Sequence, residues 1–221
     1  MDLLLIIIII FVPLIADVGI KSNYKKYSKI KNSKGLSGQE VARMILDDHG
    51  LEDVYVVATD GYLSDHYDSS RKTVRLSKAV YEGETVSSLA IAAHECGHAI
   101  QDKEGYLFFK IRSFIFPIVN IATSISYYII LLGFILQILD LVYLGIALTS
   151  LGLVFQIVTL PVEFDASNRA KKEIKRLKII NNGENNGVAS VLFSAALTYV
   201  AGVLASALQI IRLVLIARNN D

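Results

Sequence analysis

Four long apolar runs, parted by polar and charged stretches, set the outline of the chain. Leu3 to Ile20 is apolar apart from Pro13 and Asp17, and it is long enough to cross a bilayer, which takes roughly 20 residues. Phe114–Leu139 and Leu141–Leu160 flank the lone acidic Asp140, which predicts two crossings joined by a tight turn at that residue. Val188 to Ile216 is the last apolar span. Between the first and second runs the period changes. Ser37-Gly-Gln-Glu40 matches a capping box and opens a helix with apolar Val41, Met44 and Ile45. That helix stops at His49-Gly50, where His49 is expected to face water. Val54–Thr59 and Thr73–Ser77 read as strands, Asp60-Gly61 as a turn and Ser64–Ser70 as a polar loop. A helix is predicted over Thr85–Lys103, and the polar Asp102, Lys103 and Glu104 at its end exclude a full membrane span.

These patterns divide the chain into a transmembrane helix (1–20), a polar domain (21–112), a transmembrane hairpin (113–160), a helix and loop (161–187) and a final transmembrane helix (188–216). The fold class is an α-helical integral membrane protein with a small α+β domain and about four transmembrane helices. Composition agrees: 53% of residues are hydrophobic and the mean hydropathy is +0.47, too apolar for an ordinary soluble globule. A cleaved signal peptide is the rival reading of the first run. It lacks a positive stretch before the apolar segment, and Lys21, Lys25, Lys26, Lys29, Lys31 and Lys34 follow it instead. The net charge of +1 conceals a strong segregation. With four spans and both termini outside, 20 of the 22 Lys and Arg residues fall on the side of the polar segments and only Arg212 and Arg218 do not, which places those segments in the cytoplasm. A multi-pass protein of the cell inner (cytoplasmic) membrane, its polar segments facing the cytoplasm, is expected. Lys21–Gly35 is a basic linker that either touches anionic lipid or is solvated. The single cysteine, Cys96, permits no internal disulfide and fits a reducing compartment.

The chemistry concentrates in His94-Glu95-Cys96-Gly97-His98. Histidines four apart on a helix share a face, so both imidazoles can reach one metal ion. Glu95 is rotated about 100° from His94, which lets it act on a water at the metal without being a ligand. Zn2+ with three protein ligands keeps a position open for such a water and lowers its pKa to about 7. A glutamate so placed takes the water's proton and passes it to the leaving amine. Cys96, in a variable position of the motif, reads as a small buried thiol. The flanks Leu89-Ala-Ile-Ala-Ala93 and Ala99-Ile100 describe a buried helix that another helix can approach closely.

The second site segment is Leu160-Pro-Val-Glu-Phe-Asp-Ala-Ser167. On a helix, Glu163, Ala166, Ser167, Ala170, Ile174 and Leu177 share one face. A carboxylate on a stripe of small and apolar residues fits packing against the motif helix, with Glu163 completing a His-His-Glu zinc site. The bland alternative is a surface glutamate on a basic helix. Asp165 points elsewhere and can pair with Arg169 at i+4. The Ser64–Ser70 loop is either an ordinary hairpin loop or the rim of the active site. In the second case His66 or Tyr67 stabilises the oxyanion, and Thr73, Val74, Arg75, Leu76 and Ser77 bind substrate by strand addition.

Taken together, Leu36–Arg43, Leu63–Asp68, Thr73–Ser77, Ala93–Gln101 and Leu160–Ser167 resemble the neutral zinc metallopeptidases of bacterial membranes, over nearly the whole chain. The resemblance implies a membrane-anchored, gluzincin-like zinc endopeptidase with His94, His98 and Glu163 as ligands and Glu95 as general base, which makes 21–112 a zincin-like catalytic domain whose active site faces the cytoplasm. The chain is more distantly similar to the prenyl-protein and heat-shock membrane metallopeptidases, whose second motif is Glu-x-x-x-Asp. Here the last position is Ser167, so the aspartate that orients a ligand histidine is absent there, and Asp165 or another acid is expected to substitute. Two rivals remain. An intramembrane site-2-type protease would carry the motif inside an apolar span and take a ligand from an Asp-Gly element. A membrane scaffold or quality-control adaptor holding structural zinc would need a fourth protein ligand, for which His66 is the candidate. The expected partners are a peptide or membrane-protein substrate and the lipid bilayer, with no nucleic acid; the sequence leaves the oligomeric state open.

Overall fold

A computed structural model describes residues 2–218. Its elements run α1 (Asp2–Tyr27), α2 (Gly38–Asp48), β1 (Tyr55–Thr59), β2 (His66–Asp68), β3 (Thr73–Ser77), α3 (Lys78–Tyr81), α4 (Val86–Glu104), α5 (Leu107–Leu136), α6 (Leu139–Arg176), a short 3-10 turn (Asn182–Glu184) and α7 (Asn185–Arg218). α1, α5, α6 and α7 are long and apolar enough to cross a membrane, and α4 is not among them. The chain forms two compact units. One takes in Met1–Asp17, Lys110–Pro161 and Thr198–Asp221, the other Val18–Phe109 and Val162–Leu197.

The first unit is helical. Phe114, Phe116, Ile121, Tyr127 and Leu132 point outward, as they must where lipid is the solvent. Its turn differs from the expected one. α5 ends at Leu136, Gln137 takes a left-handed φ of 57°, and Asp140 sits inside the first turn of α6. An acidic side chain complements the positive end of the helix dipole there, which is what placed it beside the turn. Small residues let the helices approach: a Cβ on Gly145 would lie 3.0 Å from the Ile130 nitrogen.

The second unit holds the polar segments. The capping box forms as read: Ser37 N–H donates to Glu40, whose own N–H donates to Ser37 Oγ. α2 buries Val41, Ala42, Ile45 and Leu46 in one core with Leu89, Ala93, Cys96 and Ile100 of α4. The basic segment after the first apolar run is not a free linker. α1 continues helical to Tyr27, and Asn32 accepts from the N–H groups of Lys34 and Leu36 while its own N–H donates to the Glu84 carbonyl. The segment read as a crossing ending at Leu160 and a separate helix from Pro161 is one helix, α6, with Pro161 inside it.

The sheet order is β1-β3-β2. β3 pairs parallel with β1 and antiparallel with β2, with Val74 opposite both Val56 and Tyr67. The region expected to be a loop thus carries a short strand, and β3 is the middle one.

α4 meets the Val162–Arg176 half of α6 at Gly97. A Cβ there would lie 2.7 Å from the Ala166 carbonyl oxygen and 3.1 Å from its Cα. Backbone cannot retreat as a flexible side chain can, so Gly97→Ala is expected to cost about 1–3 kcal/mol by overpacking. Urea unfolding in detergent checks this, and an unchanged midpoint would mean the helices do not meet there.

Candidate metal centre

His94 and His98 lie one turn apart on α4, their rings edge to face with centroids 4.8 Å apart. The close approach at Gly97 brings Glu163 of α6 against both. Its Oε2 is 3.3 Å from His94 Nε2 and 3.6 Å from His98 Nε2. The three side chains are 13%, 8% and 3% exposed, so a carboxylate and two imidazoles face one another largely away from water. The spacing suits zinc: ligand atoms about 2.0–2.1 Å from a tetrahedral ion stand roughly 3.3–3.4 Å apart. One carboxylate and two imidazoles are also the donor set of a hydrolytic zinc site.

Each imidazole points its Nε2 at the centre and is held from behind through Nδ1. His94 Nδ1 is 3.2 Å from the Ser167 hydroxyl, and His98 Nδ1 is 3.0 Å from Gln101 Oε1. The absent aspartate is therefore replaced at its own position by Ser167, not by an acid elsewhere. Asp165 does not touch either ring; it accepts from Gln101 and from Arg169, the latter at 2.6 Å as i+4 spacing implied. Gln101 carries no role in the sequence alone, because a glutamine near a polar helix end looks like a solvent residue. Its place three residues after His98, on the same side of α4, was the available signal.

Glu95 is buried beside this group. Burial pushes its carboxyl up to about 7; His94 pulls it down, Glu163 and Asp65 push it further up, and the Tyr67 backbone N–H favours the ionised form. Asp65 is itself raised by burial and accepts from the Ser77 N–H at 2.7 Å, tying the loop to β3. Cys96 is fully buried against the Ala42 carbonyl, and burial pushes its thiol upward, so it is no nucleophile.

One expectation about the rim needs correction. β3 has partners on both edges, so Thr73, Val74, Arg75, Leu76 and Ser77 cannot receive an added strand. β2 carries the outer edge, and the backbone N–H of Tyr67 on it turns to Glu95. His66 is exposed, its Nδ1 2.8 Å from the Ser64 carbonyl oxygen. It lies on the face of β2 opposite Tyr67, whose hydroxyl donates to Asp102 at 2.9 Å. Among the described residues the cluster of candidate ligands around His94 consists of His94, His98 and Glu163, without His66. His49 does not simply face water either. Its Nε2 is 3.2 Å from Glu173 Oε2, but the Arg176 guanidinium lies 2.6 Å from the same oxygen and also pairs with Asp48. A cation already occupies that cluster.

The fold and the site together define a helical protein with four membrane-length helices and a zinc-compatible His-His-Glu centre outside its apolar runs. The chain belongs to the family described as "Putative neutral zinc metallopeptidase", whose pattern matches residues 2–218. It is 48% identical over 205 residues to the "Putative membrane protease YugP" of Bacillus subtilis (strain 168), covering 93% of this chain and 91% of that protein. No solved structure matches it.

Burial of Glu95 has a consequence for the metal-free protein. Its folded pKa lies above the unfolded value of 4.5, so the folded state binds the extra proton and stability falls as pH rises from 4.5 through about 7. Glu95→Gln is expected to remove that part of the pH dependence in chelator-treated protein. Parallel stability curves for the two would place Glu95 in water.

Proposed function

We propose that the protein is a membrane-anchored zinc-dependent endopeptidase that hydrolyses peptide bonds with Glu95 as general base. The observation that carries the reading is the convergence of His94 Nε2, His98 Nε2 and a Glu163 oxygen at zinc-ligand spacing, with the buried Glu95 carboxyl adjacent in sequence and in charge. These three side chains would hold the ion, which when bound supplies Lewis-acid polarisation of the scissile carbonyl and of a water molecule.

The chain's own residues do the rest. The Glu95 carboxylate accepts the proton of the attacking water and returns it to the leaving nitrogen. Its pKa, raised towards neutrality by burial, suits a group that must both take and give a proton near pH 7. The outer edge of β2 offers the substrate main chain a strand partner next to Glu95, so an extended peptide would bind along His66–Asp68. On that edge the Tyr67 N–H turns to Glu95 and its hydroxyl to Asp102, so its backbone carbonyl would be the group that meets a substrate N–H.

The three-residue ligand cluster, without His66, supports an open fourth position and counts against the structural-zinc adaptor. α4 is not among the membrane-length helices, which counts against a site-2-type intramembrane protease. The charge segregation supports an inner-membrane protein with the site on the cytoplasmic side, acting on peptide or membrane-protein substrates.

Purified protein, its Glu95→Gln variant and its Glu163→Ala variant test the reading with casein and a zinc assay. Glu95→Gln should lower hydrolysis by about 10²–10⁴-fold with zinc retained, and Glu163→Ala should lose zinc and activity together. Hydrolysis surviving Glu95→Gln would defeat the mechanism, and full zinc occupancy in Glu163→Ala would remove that residue from the site.

An extended substrate along β2 predicts a second result. A peptide inhibitor N-methylated where its N–H would meet the edge should bind more weakly than one methylated at the next residue, because alternate residues face the strand. Equal inhibition by the two would place the substrate elsewhere.

A further inference from the structure

Gln101 is fully buried on α4, three residues after His98. Its Oε1 lies 3.0 Å from His98 Nδ1. Its Nε2 lies 2.8 Å from the Val162 carbonyl oxygen and 2.8 Å from Asp165 Oδ2. The two ends of an amide are chemically opposite, because the nitrogen donates two protons and the oxygen only accepts. A backbone carbonyl and a carboxylate can only accept, so together they take both amide protons and leave Oε1 aimed at His98. An acceptor on that side requires His98 to carry its proton on Nδ1, which leaves the Nε2 lone pair facing Glu163. Turning the amide over would set its oxygen against two acceptors inside the core, which is costly. Asp165 is fixed in turn by Arg169, whose guanidinium also reaches Glu104 at 2.6 Å. The Val162 carbonyl belongs to the residue just before Glu163.

We propose that Gln101 is a positioning residue for the metal centre: it fixes the His98 tautomer and ties that imidazole to the backbone that carries Glu163. Ligands contributed by α4 and α6 thereby stay in register through one side chain. The proposal rests on the reading of His94, His98 and Glu163 as zinc ligands.

The full-length protein in detergent, with Gln101→Leu and Gln101→Glu, tests it by two readouts independent of hydrolysis. These are zinc affinity by chelator competition and the visible absorption of the cobalt-substituted protein. Leucine keeps the bulk and removes every polar contact; glutamate keeps the acceptor towards His98 and sets a second oxygen against Asp165 and Val162. Gln101→Leu should weaken zinc binding about 10–100-fold and change the cobalt spectrum, while Gln101→Glu should bind zinc more tightly than Gln101→Leu. Unaltered affinity and spectrum in Gln101→Leu would overturn the proposal. So would a glutamate variant that binds worse than the leucine one, since a purely structural bridge suffers most from the added repulsion. Should Gln101→Leu fail to fold, Gln101→Glu decides against wild type: affinity kept within about 10-fold supports the proposal and a larger loss overturns it. Wild-type protein that takes no zinc defeats the metal reading and this proposal together, whereas zinc binding indifferent to residue 101 defeats this proposal alone.

Discussion

The close approach of α4 and α6 at Gly97 is the constraint on which the site depends. A backbone carbonyl of Ala166 occupies the space a Cβ would need, so the helices meet with almost no side chain between them. Only at that separation can the short reach of a glutamate from α6 meet two imidazoles of α4. The same contact explains the composition of both faces. Ala93 and Gly97 on one helix and Ala166, Ser167 and Ala170 on the other keep the seam thin.

Burying a carboxylate and two imidazoles is costly unless their polar atoms find partners. Here every rear-facing nitrogen is satisfied by a neutral group, a serine hydroxyl or a glutamine amide, and the forward-facing atoms converge on one point. Neutral holders add no further negative charge to a centre that already contains Glu163 and Glu95. The sheet contributes on the other side: Asp65 anchors the loop before β2 to the end of β3, and the β2 backbone reaches Glu95. The Glu95 carboxyl is thus held by one short strand.

Much of this was legible from residue order. The capping box, the motif helix and the Thr73–Ser77 strand stood out because local rules decide them: a side-chain cap, a 3.6-residue period and β-branched alternation. Glu163 could be read only in combination, as an acid on a stripe too small and apolar to be a surface. β2 was hidden because three residues among Ser, Asp and Gly give no alternation to detect. The sheet order was hidden too, since placing Thr73–Ser77 between two partners depends on packing against α4 and on a parallel pairing with residues far back in the chain. Asp140 misled because acids favour turns and first helical turns alike, and His49 because its partner Glu173 is distant in sequence. Gln101 and Ser167 were marked only by their positions, three residues after His98 and four after Glu163; what each touches exists only once the helices are side by side.

The central claim, that His94, His98 and Glu163 share one zinc ion, is tested most directly by zinc K-edge X-ray absorption on the purified wild-type protein. The account predicts nitrogen and oxygen ligands at about 2.0–2.1 Å with scattering from two imidazoles. A sulfur ligand at about 2.3 Å, or a spectrum without imidazole scattering, would contradict it.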